Sequence, residues 1–213
     1  MASVNRAINT TKDMKTANKI IRIIQDTDPE SPRTWCNLGT IAYKHRRYKL
    51  GEEEISDPIE WLEDMLNKDR AYVYTNERLQ QLGDEFLKKY IALPIFIYDH
   101  SGITISTSSF TCRWDSGQVG YIYASLDDVR KEYGVKRVSK KTREKVVRVL
   151  QSEIDAFDQY LTGDVYGFII EDEDGNHIDS CWGFFGSNPM ENGMSCHIER
   201  ELWPLLENAQ VEY

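Results

Sequence analysis

Residues 139–162 (SKKTREKVVRVLQSEIDAFDQYLT) and, directly behind them, residues 163–184 (GDVYGFIIEDEDGNHIDSCWGF) decide the fold class. In the first stretch Val147, Leu150, Ile154, Phe157 and Leu161 recur at steps of three and four, which places them along one face of a long helix. Gly163 supplies its C-terminal stop. In the second stretch, 165–170 and 177–184 flank residues 171–176, whose Asp174-Gly175 suits a tight turn, so this is a β-hairpin. A long amphipathic helix running into a hairpin predicts an α+β protein.

Working outward, a second hairpin is predicted from 93–98 and 103–107 around the turn Asp99-His100-Ser101-Gly102. A strand at 119–124 and a small helix near 126–133 lie between the two hairpins. Residues 19–26 (KIIRIIQD) read as a strand, bounded by the turn formers Asp28-Pro29 and Ser31-Pro32. Asp57-Pro58-Ile59-Glu60 combines an N-cap, a proline at the first helical position and an early glutamate, so a helix starts there and runs to about Asn67. Thr75 caps another helix, with Leu79, Leu82, Phe86 and Tyr90 on one face. A last amphipathic segment at 198–206 is interrupted by Pro204. The expected architecture is one mostly antiparallel sheet, built from the two hairpins plus the extra strand, with the long helix packed on one face and further helices around it. Residues 1–18 read as a loose arm, and 19–213 as a single α+β domain with a helical insert at 57–91.

The composition suits a globular chain: of 213 residues, 40% are hydrophobic and 29% charged, which argues against global disorder. No apolar run approaches the roughly 20 residues that span a bilayer, and the start MASVN lacks the apolar core of a secretory signal. A cytoplasmic protein, that of a bacterial host, with no membrane partner is expected. Cys36, Cys112, Cys181 and Cys196 form no C-x-x-C pair, which predicts free thiols, and no spacing with histidine supports a metal site. No phosphate-cradling glycine loop is present, and no cofactor is expected.

Charge is unevenly spread. The net charge is −9, but residues 151–213 hold fourteen Asp/Glu against Arg200 alone, while 129–149 hold nine Lys/Arg against Glu132 and Glu144. Blocks of this kind create a field that steers partners. The long helix also opposes its own macrodipole, with Lys140, Lys141, Arg143 and Lys145 at its start and Glu153, Asp155 and Asp158 further along. Two readings account for that order: a basic end that docks on an acidic partner or on the acidic C-terminal hairpin, and plain tolerance on an exposed face.

Several short clusters carry functional chemistry. The turn Asp99-His100-Ser101-Gly102 presents an imidazole and two oxygen groups on a hairpin tip. The segment Cys112-Arg113-Trp114-Asp115-Ser116 gathers a thiol, an indole, a carboxylate and a hydroxyl. His100, Cys112, Asp115 and Ser116 are therefore the candidates for catalysis, with a Cys112–His100 pair as the conceivable nucleophile and base. Cys112 lacks an evident base and orienting group, so the expectation is that it sits among apolar side chains and that the protein binds rather than catalyses. His45-Arg46-Arg47-Tyr48 suits phosphate or base-stacking contact. Asp164, Glu171, Asp172, Glu173, Asp174 and Asp179, with Trp182 beside them, form the candidate acidic binding surface; Asp99 and Trp114 complete the binding candidates. The acidic turn lacks the twelve-residue calcium-loop pattern.

Residues 23–48 (IIQDTDPESPRTWCNLGTIAYKHRRY), 93–120 (LPIFIYDHSGITISTSSFTCRWDSGQVG) and 163–186 (GDVYGFIIEDEDGNHIDSCWGFFG) resemble a family of small uncharacterised proteins encoded by bacteriophages and integrative mobile elements. The resemblance spans most of the chain from about Arg22 to Gly186, departing at the N-terminal arm and the 57–91 insert. It implies a genomic setting and no reaction. Such elements carry genes that blunt host defence, so the resemblance implies a counter-defence inhibitor of the anti-CRISPR or antirestriction type. Joined to the acidic surface, this reads as a protein that binds a host nucleic-acid-handling enzyme without contacting nucleic acid itself. Two other readings stand beside it: a small-molecule module at the hairpin tips (a nucleotide-messenger sponge or a hydrolase), and a structural or replication accessory.

Overall fold

The computed structural model describes residues 19–70, 75–112 and 114–212; the arm expected at 1–18 lies outside the described residues. It is an α+β fold whose chain divides into two compact units, one made of residues 31–158 and the other of the described residues up to Glu30 together with those from Gln159 onward. The boundary falls within the long helix.

The unit of residues 31–158 is built on a five-stranded sheet. Its strands are β2 (Thr40–Tyr43), β3 (Glu53–Glu54), β4 (Tyr90–Asp99), β5 (Ile103–Ser106) and β6 (Ser116–Ser125), in the order β3-β2-β6-β4-β5. The pairings are antiparallel except β2 with β3. The sheet is covered on both faces. On one lies the pair α1 (Pro58–Leu66) and α2 (Asn76–Lys89), which bury Leu66, Leu82 and Phe86 against Ala42 and Tyr123 of the sheet. Their starts follow the expected chemistry. The Asp57 carboxylate accepts the N–H groups of Ile59 (2.8 Å) and Glu60 (3.1 Å), and the Thr75 hydroxyl accepts that of Arg78 (3.2 Å). Asn67, in the left-handed region at φ 53°, closes α1. Trp61, Phe86, Tyr90 and Tyr123 form an edge-and-stack aromatic cluster with centroids 4.5–5.9 Å apart. Glu53 accepts the Tyr123 hydroxyl at 3.0 Å, and burial followed by that carboxylate raises the phenol's pKa well above its ordinary value.

Helix α3 (Leu126–Glu132) starts on Ser125, and α4 (Lys140–Thr162) starts on Ser139, whose hydroxyl accepts the Thr142 N–H at 3.1 Å. The buried stripe of α4 is Val146, Leu150, Ile154 and Phe157, so it begins one residue before the expected Val147, and Leu161 is half-buried. Two carboxylates of α4 reach the sheet. Glu153 accepts the backbone N–H groups of Leu38 (2.8 Å) and Gly39 (3.1 Å) ahead of β2, and Asp158 accepts the Ile105 N–H and the Thr104 hydroxyl on β5, both at 2.7 Å.

In the other unit, β1 (Lys19–Gln25), β7 (Val165–Asp172), β8 (His177–Phe185) and β9 (Val211–Glu212) form a four-stranded sheet in the order β8-β7-β1-β9. One face packs Ile21, Ile23, Phe168 and Phe184 against Met194, Ile198, Leu202 and Leu206 from the C-terminal segment. That segment ends in α5 (Trp203–Asn208), whose first turn holds Pro204. The Trp203 indole N–H donates to the carbonyls of Ser195 (3.0 Å) and Ile198 (3.2 Å), fixing the segment's turns.

The two hairpins therefore lie in separate sheets, and the expectation of one shared sheet is corrected. The hairpins themselves form where expected, but β7 takes β1 as its second neighbour, while β6 runs between β2 and β4. Among the described residues, no helix is long and apolar enough to cross a membrane.

Strands β2 and β6 approach so closely that only glycine fits at residue 120: a Cβ there would lie 2.1 Å from the Ala42 carbonyl oxygen and 2.8 Å from Tyr43 Cα. Backbone cannot move aside as a side-chain tip can. Gly120→Ala is expected to lower stability by at least about 1–3 kcal/mol, whereas Gly102→Ala, with open space around the added methyl, stays within about 0.5 kcal/mol of wild type. Urea midpoints at constant m-value check the contrast; equal midpoints for the two variants would refute the register.

Candidate functional site

The hairpin tip of β4 and β5 brings together two segments that are far apart in sequence. The segment after β2 folds back so that Arg47 forms an ion pair with Asp99 and the Tyr48 hydroxyl lies 3.5 Å from the same carboxylate. His45 stacks on Tyr48 with ring centroids 5.0 Å apart, and the Arg47 guanidinium stands 5.2 Å from the Tyr48 ring centroid. The N–H of Tyr48 donates to His45 Nδ1 at 3.1 Å, which closes the turn and requires that nitrogen to be unprotonated. Arg46 is exposed. His45, Arg47, Tyr48 and Asp99 thus make one cluster.

On the other side of the tip the Asp99 N–H donates to the Asp115 carbonyl at 2.8 Å, drawing the segment before β6 against the turn. Asp115 Oδ2 then meets both other candidates, at 3.4 Å from His100 Nδ1 and 3.8 Å from Cys112 Sγ. The order is thiol, carboxylate, imidazole. A nucleophilic cysteine needs a base to take its proton, with the carboxylate behind that base; here the carboxylate holds the central place. Ser116 donates its hydroxyl to the Cys112 carbonyl and is spent on the loop. Cys112 is half-buried beside Asp115, which corrects the expectation of an apolar setting, and Cys36 and Cys196 are exposed. His100 is exposed, lying 6.0 Å from Tyr98 centroid to centroid. Trp114, 95% exposed, projects from the same loop.

The acidic candidates sit in the other unit and have unequal roles. Asp172 organises the β7–β8 turn: its Oδ1 accepts the N–H groups of Asp174 (3.0 Å) and Asn176 (2.8 Å), and the Asn176 amide donates to Oδ2 at 2.9 Å. Those bonds, the Asn176 side chain first, hold its carboxyl below the ordinary aspartate range. Glu171 lies 3.5 Å from Arg22, which also meets Glu212. Asp179 accepts the N–H of Ser180 at 2.8 Å on the edge strand β8. Glu173 and Asp174 are exposed at the turn, and Asp164 is half-buried beyond the end of α4. The Trp182 indole lies flat over Gly167 of β7, where a Cβ would come within 2.2 Å of the ring. It remains 45% exposed, as do Ile178 (46%) on the same strand and Ile20 (50%) on β1.

Among the described residues, no group of three or more His, Cys, Asp or Glu side chains is disposed to hold a metal ion. Sequence reasoning missed the Arg33, Glu52 and Glu153 network that fixes the segment ahead of β2. Its signal was Glu153 itself, a carboxylate that local helix electrostatics does not explain.

The state of His45 is testable. Burial, then the charges of Arg47 and Arg46, lower its pKa, and Asp99 opposes them. A base whose folded pKa lies below its unfolded value of about 6.5 binds fewer protons in the folded state, so stability falls as pH drops through that value and levels off below the folded pKa. The imidazole should titrate by NMR with a midpoint under the ordinary value, and His45→Gln should flatten the dependence of Tm on pH between about 5 and 7. A midpoint at or above the ordinary value would contradict the Nδ1 acceptor role.

Comparison with protein-family models, with curated proteins and with solved structures finds no match to this chain.

Proposed function

We propose that this is a non-catalytic binding protein whose acidic unit docks on a basic, nucleic-acid-handling protein, in the setting of counter-defence by a mobile genetic element. The observation that carries the reading is the segregation of charge between the units. Residues 19–30 and 159–212 hold fourteen Asp/Glu against Lys19, Arg22 and Arg200, while residues 31–158 hold twenty of each sign. A field concentrated on one unit accelerates encounter with an oppositely charged partner and rejects like-charged ones. A carboxylate-bearing surface also suits a channel that normally receives phosphates.

The same unit supplies what charge alone lacks. Trp182 and Ile178 stand exposed on β8, with Glu173 and Asp174 at the adjoining turn. An apolar anchor rimmed by charge is the anatomy of a protein interface. The carboxylate-centred order at the hairpin tip supports binding over nucleophilic catalysis.

Capture from a bacterial lysate, with wild type beside Glu173→Lys/Asp174→Lys and Trp182→Ala, tests the proposal. Retained proteins should bind nucleic acid, be displaced by added DNA, and be lost on raising salt from about 0.05 to 0.5 M, where the Debye length shrinks from over 10 Å to a few ångströms. Both variants should weaken retention. Capture that survives high salt and both variants would reject an acidic interface.

A further inference from the structure

The unit of residues 31–158 carries a second, differently charged feature that the acidic interface does not use. Between the segment ahead of β2 and the exposed flank of α4 lies a groove of about 470 Å³, lined by Trp35, Tyr133, Lys145, Arg148, Ser152 and others. Lys145, Arg148 and Ser152 follow one another at steps of three and four, so α4 lines the groove with two cations and a hydroxyl from one face. Both cations are exposed, and neither forms an ion pair among the described residues. The one carboxylate lining this groove, Glu153, is occupied: it holds Arg33 at 3.3 Å and the N–H groups of Leu38 and Gly39. The lining of the groove therefore carries two positive charges, Lys145 and Arg148, against one negative.

Opposite the cations stands an indole on a fixed loop. Trp35 is 47% exposed, yet its segment is tightly tied down. The Asn37 amide donates to the carbonyls of Pro32 (2.9 Å) and Trp35 (3.1 Å), and the Arg33 guanidinium donates to the Gly39 carbonyl at 2.7 Å. An exposed indole on a rigid loop gives a planar ligand a stacking surface with little left to order on binding. The volume falls in the range of sites that take small ligands.

We infer that this groove binds a phosphorylated nucleoside, its base against Trp35 and Tyr133 and its phosphates on Lys145 and Arg148. Neither half of that chemistry suffices alone. A bare anion would leave the aromatic wall wet, and an uncharged ring would leave two cations unanswered. A lining that joins two aromatic rings to two cations matches a ligand with the same two parts.

The experiment is calorimetric titration of the full chain with ATP, adenosine and inorganic triphosphate as separate probes. ATP is expected to bind saturably at millimolar concentration or tighter, with adenosine and triphosphate each weaker by about tenfold or more. Trp35→Ala and Lys145→Gln/Arg148→Gln should each weaken ATP by at least about tenfold, while Trp35→Phe retains most of the affinity and Leu87→Ala, on the exposed side of α2, leaves it unchanged. All of these positions are exposed, and matching melting temperatures certify the folds. A short single-stranded oligonucleotide distinguishes a free nucleotide from a nucleotide within a strand: ATP competing it off at equal affinity supports the inference. Triphosphate binding as tightly as ATP, indifference to Trp35→Ala, or no saturable binding of ATP overturns it.

Discussion

One buried guanidinium holds the larger unit in its shape. Arg33, its side chain only 9% exposed, lies between Glu52 at 2.7 Å and Glu153 at 3.3 Å. The two carboxylates do more than neutralise it: Glu52 accepts the Ile41 N–H at 2.7 Å, and Glu153 accepts those of Leu38 and Gly39. Backbone donors that a non-repetitive segment would leave unpaired next to a core are thereby satisfied by side chains. The entry into β2, its neighbour β3 and the placement of α4 across the sheet all follow from this network. A triad of this kind, fully hydrogen-bonded, specifies one arrangement rather than adding much net stability.

The same network explains the charge order of α4. Its later carboxylates oppose the macrodipole by about 0.3–1 kcal/mol each where they are well placed to feel it, yet Glu153 and Asp158 serve as tertiary acceptors at two places on the sheet. Asp155, between them, keeps its proton to higher pH than an ordinary aspartate because of burial and the neighbouring Asp158. The basic first turns have no such tertiary task among the described residues and remain available to solvent or ligand. A helix that looked electrostatically inverted in isolation is thus divided into a docking half and a presenting half.

Much of the local structure was legible because its causes are local. Asp57-Pro58 and Thr75 start helices through side-chain oxygens that any reading of caps detects, and Gly163, at φ 74°, ends α4 as expected. Strand partnership was not legible. Whether β7 pairs with β1 or joins the other hairpin depends on contacts across more than a hundred residues, and alternation within a strand names no partner. Strand β2, four residues long, and β3 and β9, two residues each, are too short to show a period. The same limit applied to the hairpin tip. His45 to Tyr48 and Asp99 to Ser116 were visible as separate clusters, but that Arg47 meets Asp99, and that Asp115 sits between thiol and imidazole, is set by the sheet.

The outer strand of the acidic unit has one more property. An exposed sheet edge invites a foreign strand to extend it, and β8 bears apolar side chains that would favour such growth. Asp179 already occupies the Ser180 N–H, Gly183 at φ 84° sits beside a break in the pairing register, and the adjoining turn is densely negative. An incoming strand would find a donor taken, a kinked template and charge repulsion from any copy of itself. The strand can thus keep a tryptophan in water while discouraging a second copy of itself from pairing along the edge.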